Sequence, residues 1–279
     1  MSAYRLLGPF RSRINPKQAC QPPKGGDNGA MIKMPHSRRL MAWLIEPLAM
    51  VIVMVCATTA IAQPFYIPSG SMEPTLQIGD MLLGTKYAYG YSRWSLPGGF
   101  GPASTTRLFG KLPARGDVVI FRKPHDTKVT LIKRVVGLPG DRLQMVHGHL
   151  AINGKILPLA PAGPGEMEDS HGDRIPIQTF TETLPGGIKH TIFKAGWDGP
   201  LDDTPVMIVP AGHVFGMGDN RDNSTDSRVP VEDGGPGYIP LENLVARADV
   251  MLGSYDYLGV RSVGSIFSQI RLSRFLRPI

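Results

Sequence analysis

Three short segments hold the residues whose types and spacing could do chemistry. The first is Pro64-Phe65-Tyr66-Ile67-Pro68-Ser69-Gly70-Ser71-Met72-Glu73-Pro74-Thr75-Leu76. Prolines stiffen the backbone on both sides of a Ser-Gly-Ser, and Gly70 lets another molecule come close. Such a rigid presentation suits a serine nucleophile whose neighbouring N–H and hydroxyl groups face an oxyanion. The same three residues are also an ordinary turn, and the segment fits neither G-x-S-x-G nor S-x-x-K, because Pro74 stands where the latter needs lysine. The second segment is Leu131-Ile132-Lys133-Arg134-Val135-Val136. On a strand Lys133 shares a face with Leu131 and Val135, while Arg134 points the other way. A lysine among apolar neighbours is poorly solvated when charged, so its pKa falls and its neutral amine can take a proton from a serine. Snorkelling past those neighbours to solvent is the competing reading. The third segment, Gly218-Asp219-Asn220-Arg221-Asp222-Asn223-Ser224-Thr225-Asp226-Ser227-Arg228, predicts a loop stapled by side-chain-to-backbone bonds and ion pairs.

Metal chemistry has less support. Asp222, Ser224 and Asp226 resemble the start of a calcium loop, but Ser227 and Asp233 occupy the positions that need Gly and Glu. His147 and His149 share a strand face without an evident third ligand. The reading is therefore of no metal and no cofactor.

The elements that must position these segments are mostly β-strands. The 33 Gly and 26 Pro favour a loop-rich β protein over a helical bundle. Residues 118–121, 130–136, 177–193, 206–217 and 246–252 read as strands, and 143–156 as a hairpin turning at Asn153-Gly154. Residues 158–176, rich in Pro, Gly and acids, read as an exposed loop. No internal repeat is evident.

Ahead of this body, residues 40–62 (LMAWLIEPLAMVIVMVCATTAIA) carry one charge, Glu46, and are long enough to span a ~30 Å hydrocarbon core as a helix. Lys33, Arg38 and Arg39 precede the run, which places the N-terminus inside and the remainder outside. A cleaved signal peptide is the rival reading, since Ala60-Ile61-Ala62 is an A-x-A pattern. Residues 1–39 hold eight Lys/Arg and one acid, so the net +7 of the chain sits entirely in that tail. Nucleic-acid binding would need basic charge on the folded body, and is excluded on that ground. Cys20 and Cys56 fall in different environments and form no disulfide framework.

Together and in this order, the segments resemble the bacterial type I signal peptidases, or leader peptidases. The stretches that carry the resemblance are PSGSMEPTL (68–76), GDVVIFRKP (116–124), IKRVVGLPGD (132–141) and GMGDNRDNSTDSR (216–228). The resemblance implies a mainly β catalytic core with a second, smaller β subdomain at about 143–212, preceded by one transmembrane helix. The domains are then a basic cytoplasmic tail (1–39), an anchor (40–63), an extracytoplasmic catalytic domain (64–259) and a basic amphipathic C-terminal tail (260–279), surface-bound or frayed. It implies Ser71 as nucleophile, Lys133 as general base, and Ser69 with the Ser71 N–H as oxyanion hole. Ser224 orients the amine, and the Asp226–Arg228 pair braces the loop. The expected substrates are secreted preproteins, paired in extended form beside 72–76 and cut after A-x-A. Ile67, Met72, Leu76 and Ile132 would wall the substrate pockets. The expected location is the bacterial inner membrane, against the lipid bilayer and near the export translocon. Two alternatives from other classes are a self-cleaving repressor, which would need a DNA-binding domain where this chain has an apolar run, and a catalytically dead β adaptor.

Overall fold

The computed structural model describes residues 36–95, 107–168, 174–256 and 267–279, with the side chains at 36–42, 44, 57, 59, 168, 174 and 267 left outside the description. The expected basic tail lies outside the described residues up to position 35. The chain divides into two compact units, Met1–Leu48 and Ala49–Ile279. Among the described residues there is one α-helix, α1 (His36–Ala60), which contains Pro47 and exposes Ile45, Leu48 and the apolar run 50–55. Among the described residues no helix is long and apolar enough to cross a membrane; the side chains at 40–42, 44, 57 and 59 of the expected span are outside them.

Fifteen strands follow among the described residues. They are β1 (Ala62–Tyr66), β2 (Asp80–Thr85), β3 (Val118–Lys123), β4 (Asp126–Gly137), β5 (Arg142–Val146), β6 (His149–Ile152), β7 (Lys155–Ile156), β8 (Leu159–Glu168), β9 (Arg174–Thr183), β10 (Lys189–Lys194), β11 (Met207–Ile208), β12 (His213–Met217), β13 (Ile239–Pro240), β14 (Leu244–Ser254) and β15 (Arg277–Pro278). The main sheet runs β1-β2-β14-β3-β4-β12-β13, with β15 added alongside β14. Residues 142–208 build two further sheets, β11-β5-β6-β7 and β10-β9-β8. All these pairings are antiparallel, so the protein is mainly β.

The run Val118-Val119-Ile120-Phe121 explains the centre of the main sheet. Val118 and Ile120 enter one buried cluster with Ile67, Met72 and Leu76, while Val119 and Phe121 enter another with Val135 and Val214. A strand buried on both faces needs apolar residues without alternation. Each such large side chain contributes roughly 1.5–3 kcal/mol. The Asn153-Gly154 turn forms as expected, with φ of 53° and 80°, in the left-handed region that a two-residue hairpin demands.

Two regions differ from expectation. Residues 159–168 are not a loop: β8 pairs with β9 over its whole length. Its prolines are tolerated because β8 is the edge strand of its sheet and shifts register between Pro161 and Gly163. The C-terminal residues 267–279 are neither frayed nor free at the surface. Arg274 donates Nε to Asp80 Oδ1 (3.0 Å) and Nη2 to Asp80 Oδ2 (2.5 Å), β15 joins β14, and Arg271 pairs with Asp256 at 3.1 Å.

Candidate active site

Ser71 sits in a single 3₁₀ turn, Gly70–Met72, entered from extended backbone at Ser69 (φ −137°, ψ 148°). A side chain at 70 would meet the Glu73 carboxylate at 2.9 Å, so any residue but glycine would have to push that flexible side chain aside. Beyond the turn, Glu73 N–H donates to Gly70 O and Leu76 N–H to Met72 O. Residues 72–76 are therefore turns and offer no extended edge for a substrate; the strand that precedes Ser71 is β1 (Ala62–Tyr66).

Lys133 reaches Ser71 from the middle of β4. Its Nζ donates to Ser71 Oγ at 2.8 Å and to the Ile132 carbonyl at 3.0 Å. The strand register sets Lys133 opposite Val119 on β3, and Gly216 of β12 packs so closely that a Cβ there would lie 3.0 Å from Lys133 Cβ. Only 3% of Lys133 remains exposed. Burial pushes its pKa down to about 8, with Asp226 and Asp219 holding it partly up. A substantial fraction of this amine is thus neutral in mildly alkaline solution, unlike a surface lysine.

The neighbouring Arg134 does the opposite job. It forks onto Asp219 (Nε–Oδ1 2.9 Å, Nη2–Oδ2 2.7 Å) and donates to the Gly116 carbonyl at 2.8 Å. Burial pushes the Asp219 carboxyl up, but the guanidinium outweighs it and holds the carboxyl below its usual range. Thr75 Oγ1 donates to the same carboxylate at 2.5 Å. One strand thus delivers the amine to Ser71 and ties down the turn that carries Ser71. Asn220 adds two further ties, from Nδ2 to Gly70 O and from N–H to Ser71 O, both 3.2 Å. Behind it, Asp226 accepts from Gly218 N–H (3.0 Å) and from Arg228 Nε and Nη2 (2.9 and 2.8 Å), a pair wholly removed from solvent. Gly218 leaves no room for a side chain, which would come within 2.5 Å of Ser71 O.

The signal peptidase model of the S26 peptidases matches residues 40–252. The chain belongs to the signal peptidase family. Signal peptidase I of Rickettsia akari (strain Hartford) is 40% identical over 195 residues, 67% of this chain and 70% of its own. That of Rickettsia prowazekii (strain Madrid E) is 41% identical over the same length and shares. A crystal structure of a signal peptidase I from Enterococcus faecalis V583 overlaps 49% of this chain and 97% of its own at 24% identity, with a TM-score of 0.28, too distant to carry weight. The chain is therefore a peptidase.

The remaining expected residues of this signal peptidase fall in different places. Ser69 is exposed beside Ser71. Ser224 is buried against Gly218, but its Oγ has no hydrogen-bond partner, so the expected bond to Lys133 is not formed. Ile67, Met72 and Leu76 are 3%, 2% and 0% exposed within the core, and only Ile132 keeps part of its surface. Leu76 thus backs any pocket wall without reaching its surface. Sequence reasoning missed Thr75, Arg134, Asp219 and Asn220 as residues that hold the Ser71 turn. The one available signal was the placement of Arg134 on the strand face opposite Lys133.

Proposed function

We propose that this peptidase is a membrane-bound serine endopeptidase that removes N-terminal signal peptides from exported preproteins, cutting after small residues at −1 and −3. The observation that carries the reading is the 2.8 Å contact between Ser71 Oγ and a buried amine whose pKa is brought down to about 8. In the neutral form of Lys133 the hydrogen bond reverses, with the Ser71 hydroxyl donating to Nζ. Oγ attacks the scissile carbonyl as Nζ takes its proton, and the ammonium then protonates the leaving amine. Water, deprotonated by Lys133, hydrolyses the resulting ester and returns the hydrogen to Ser71. The oxyanion accepts from the Ser71 N–H, at the start of a helical turn, and from the Ser69 hydroxyl. The Asp226–Arg228 pair is assigned the bracing of residues 218–228. Ile132, backed by Ile67, Met72 and Leu76, forms an apolar wall that favours alanine-sized residues; a charge there would be buried unpaired.

Residues 40–62 are assigned as the anchor, on their length, their apolar composition and the basic residues before them. The catalytic body, 64–259 with its small β subdomain at about 143–212, then lies outside the bacterial inner membrane and the tail 1–39 inside. Anchoring confines enzyme and emerging preprotein to one bilayer surface near the translocon, which raises their effective concentration. The test mixes the full chain in detergent with a preprotein whose signal ends in A-x-A and follows products by mass spectrometry. Cleavage after the second alanine by wild type, and none by Lys133→Met, is expected. Cleavage by both would remove Lys133 from the chemistry, and cleavage by neither would remove the activity.

A further inference from the structure

One buried ionisable group near the Ser71 turn takes no part in the proton transfers. His190, on β10, is 8% exposed, and among the described residues neither of its ring nitrogens has a hydrogen-bond partner. Charged groups surround the ring. Glu182, its cross-strand partner on β9, lies 3.4 Å (Oε2) from Nε2, and Asp219, after β12, lies 3.8 Å (Oδ1) from it. Both carboxylates are already taken by forks: Arg221 holds Glu182 at 2.8 and 2.6 Å, as Arg134 of β4 holds Asp219. Two carboxylates and two guanidiniums sum to zero, so the cluster is balanced only while the ring is neutral. The backbone of β10 is bound to the same loop, with Phe193 N–H donating to Asp219 O at 2.9 Å and Arg221 N–H to Phe193 O at 3.0 Å.

We propose that His190 is a proton-sensitive positioning residue: neutral, it leaves Asp219 to Arg134 and Thr75, and protonated, it draws Asp219 off them and switches the site off. The inference rests on the proposed Ser71–Lys133 chemistry and adds a second proton that controls it. The cause is competition. A buried imidazolium must be paired, and the carboxylate oxygens nearest to it are already engaged, so it gains a partner only by loosening a fork. Loosening the Asp219 fork reaches Ser71 directly. The same carboxylate accepts from Thr75 Oγ1, and the next residue, Asn220, holds Gly70 O and Ser71 O. Misplacing a reacting group by about 1 Å lowers a rate about 100-fold. Burial holds the ring below the ordinary histidine value; Asp219 and Glu182 push it up, while Arg134 and Arg221 push it further down. His190 is therefore neutral across the range in which Lys133 titrates, and the switch acts only in acid. The unfolded chain takes up this proton first as the pH falls, so acid lowers stability as well.

The test measures kcat/KM for an A-x-A preprotein on the full chain in detergent, from about pH 4.5 to about pH 9, for wild type and His190→Gln. At the alkaline end the two are expected to agree within about twofold. Towards the acid end wild type is expected to fall more steeply than the roughly tenfold per pH unit that one proton gives, and to finish at least about threefold below His190→Gln, which keeps the one-proton slope. Circular dichroism at each pH checks that wild type is still folded where the profiles part, and His190→Asn replaces the glutamine variant if that one does not fold. Parallel one-proton profiles, a divergence that coincides with unfolding, or an alkaline loss of more than about tenfold in both variants overturns the inference and leaves the Ser71–Lys133 reading intact. Absence of the limb near pH 8 from both proteins overturns the Lys133 reading, and the acid divergence still decides His190. Failure of wild type to cleave at any pH overturns both.

Discussion

Lys133 and Lys194 are both buried, at 3% and 1% exposure, yet the structure treats them in opposite ways. Lys194, at the end of β10, donates to both oxygens of Asp202 (2.6 and 2.8 Å) and to Asp222 at 2.5 Å. Among the described residues Lys133 donates only to a hydroxyl and a carbonyl, and no carboxylate is within hydrogen-bonding reach of it. A buried cation given carboxylates is a strut, because its charge is matched and costly to remove. A buried cation denied them gives up its proton easily, which is what a general base requires. Arg134 repeats the contrast one residue along the same strand: burial pulls its pKa down, but Asp219 more than reverses that and raises it. The difference between a tie and a base is set by where the carboxylates sit, and Asp226, whose charge does reach Lys133, is already satisfied by Arg228.

This contrast can be broken at either lysine. The largest effect expected is on turnover: Ser71→Ala or Lys133→Met should each lower kcat for preprotein cleavage about ten-thousand-fold or more, read by single-turnover gel or mass assay. Next is Lys194→Met, which strands two carboxylates and should cost about 3–5 kcal/mol in chemical denaturation. An unchanged denaturation midpoint would mean that Lys194 is no strut. Ser69→Ala should lower kcat about 100- to 1000-fold with the thermal midpoint unmoved, as for loss of one oxyanion donor.

The smallest effect sharpens the comparison most, because its sign differs. Native Lys133 loses its proton near pH 8 and the unfolded chain's lysine near 10.4. Between those values unfolding takes up a proton, so stability rises with pH; below 8 the native state carries a poorly solvated charge. Lys133→Met should therefore be more stable than wild type at pH 7, by up to about 3 kcal/mol, with the gain fading towards pH 10. A destabilised Lys133→Met at pH 7 would place Lys133 with Lys194 among the struts.

Much of this site was legible because short segments carried it. The β-branched run around Lys133 and the turn-rich segment around Ser71 each pointed to a local conformation. The family resemblance then joined two residues sixty-two positions apart, which neither pattern does alone. What escaped the sequence was settled by distant partners. Pro161, Gly163 and Pro164 argue locally for a loop, yet pairing with β9 makes 159–168 a strand. Arg274 in a basic tail has no local reason to be ordered; its partner, Asp80, lies on β2. The strand pattern placed Arg134 on the face opposite Lys133 without a partner, and only the fold brings Asp219 and Thr75 to it. Met72 and Leu76 adjoin Ser71 in sequence, but both are buried in the core.

The most direct test of Lys133 as a neutral base is the pH dependence of kcat/KM for an A-x-A preprotein, measured on the full chain in detergent. A single ionisation with activity rising through about pH 8 and lost below it, as the amine becomes protonated, is the result this account predicts. A profile flat from pH 6 to 10, or an acid limb near 6, would contradict it.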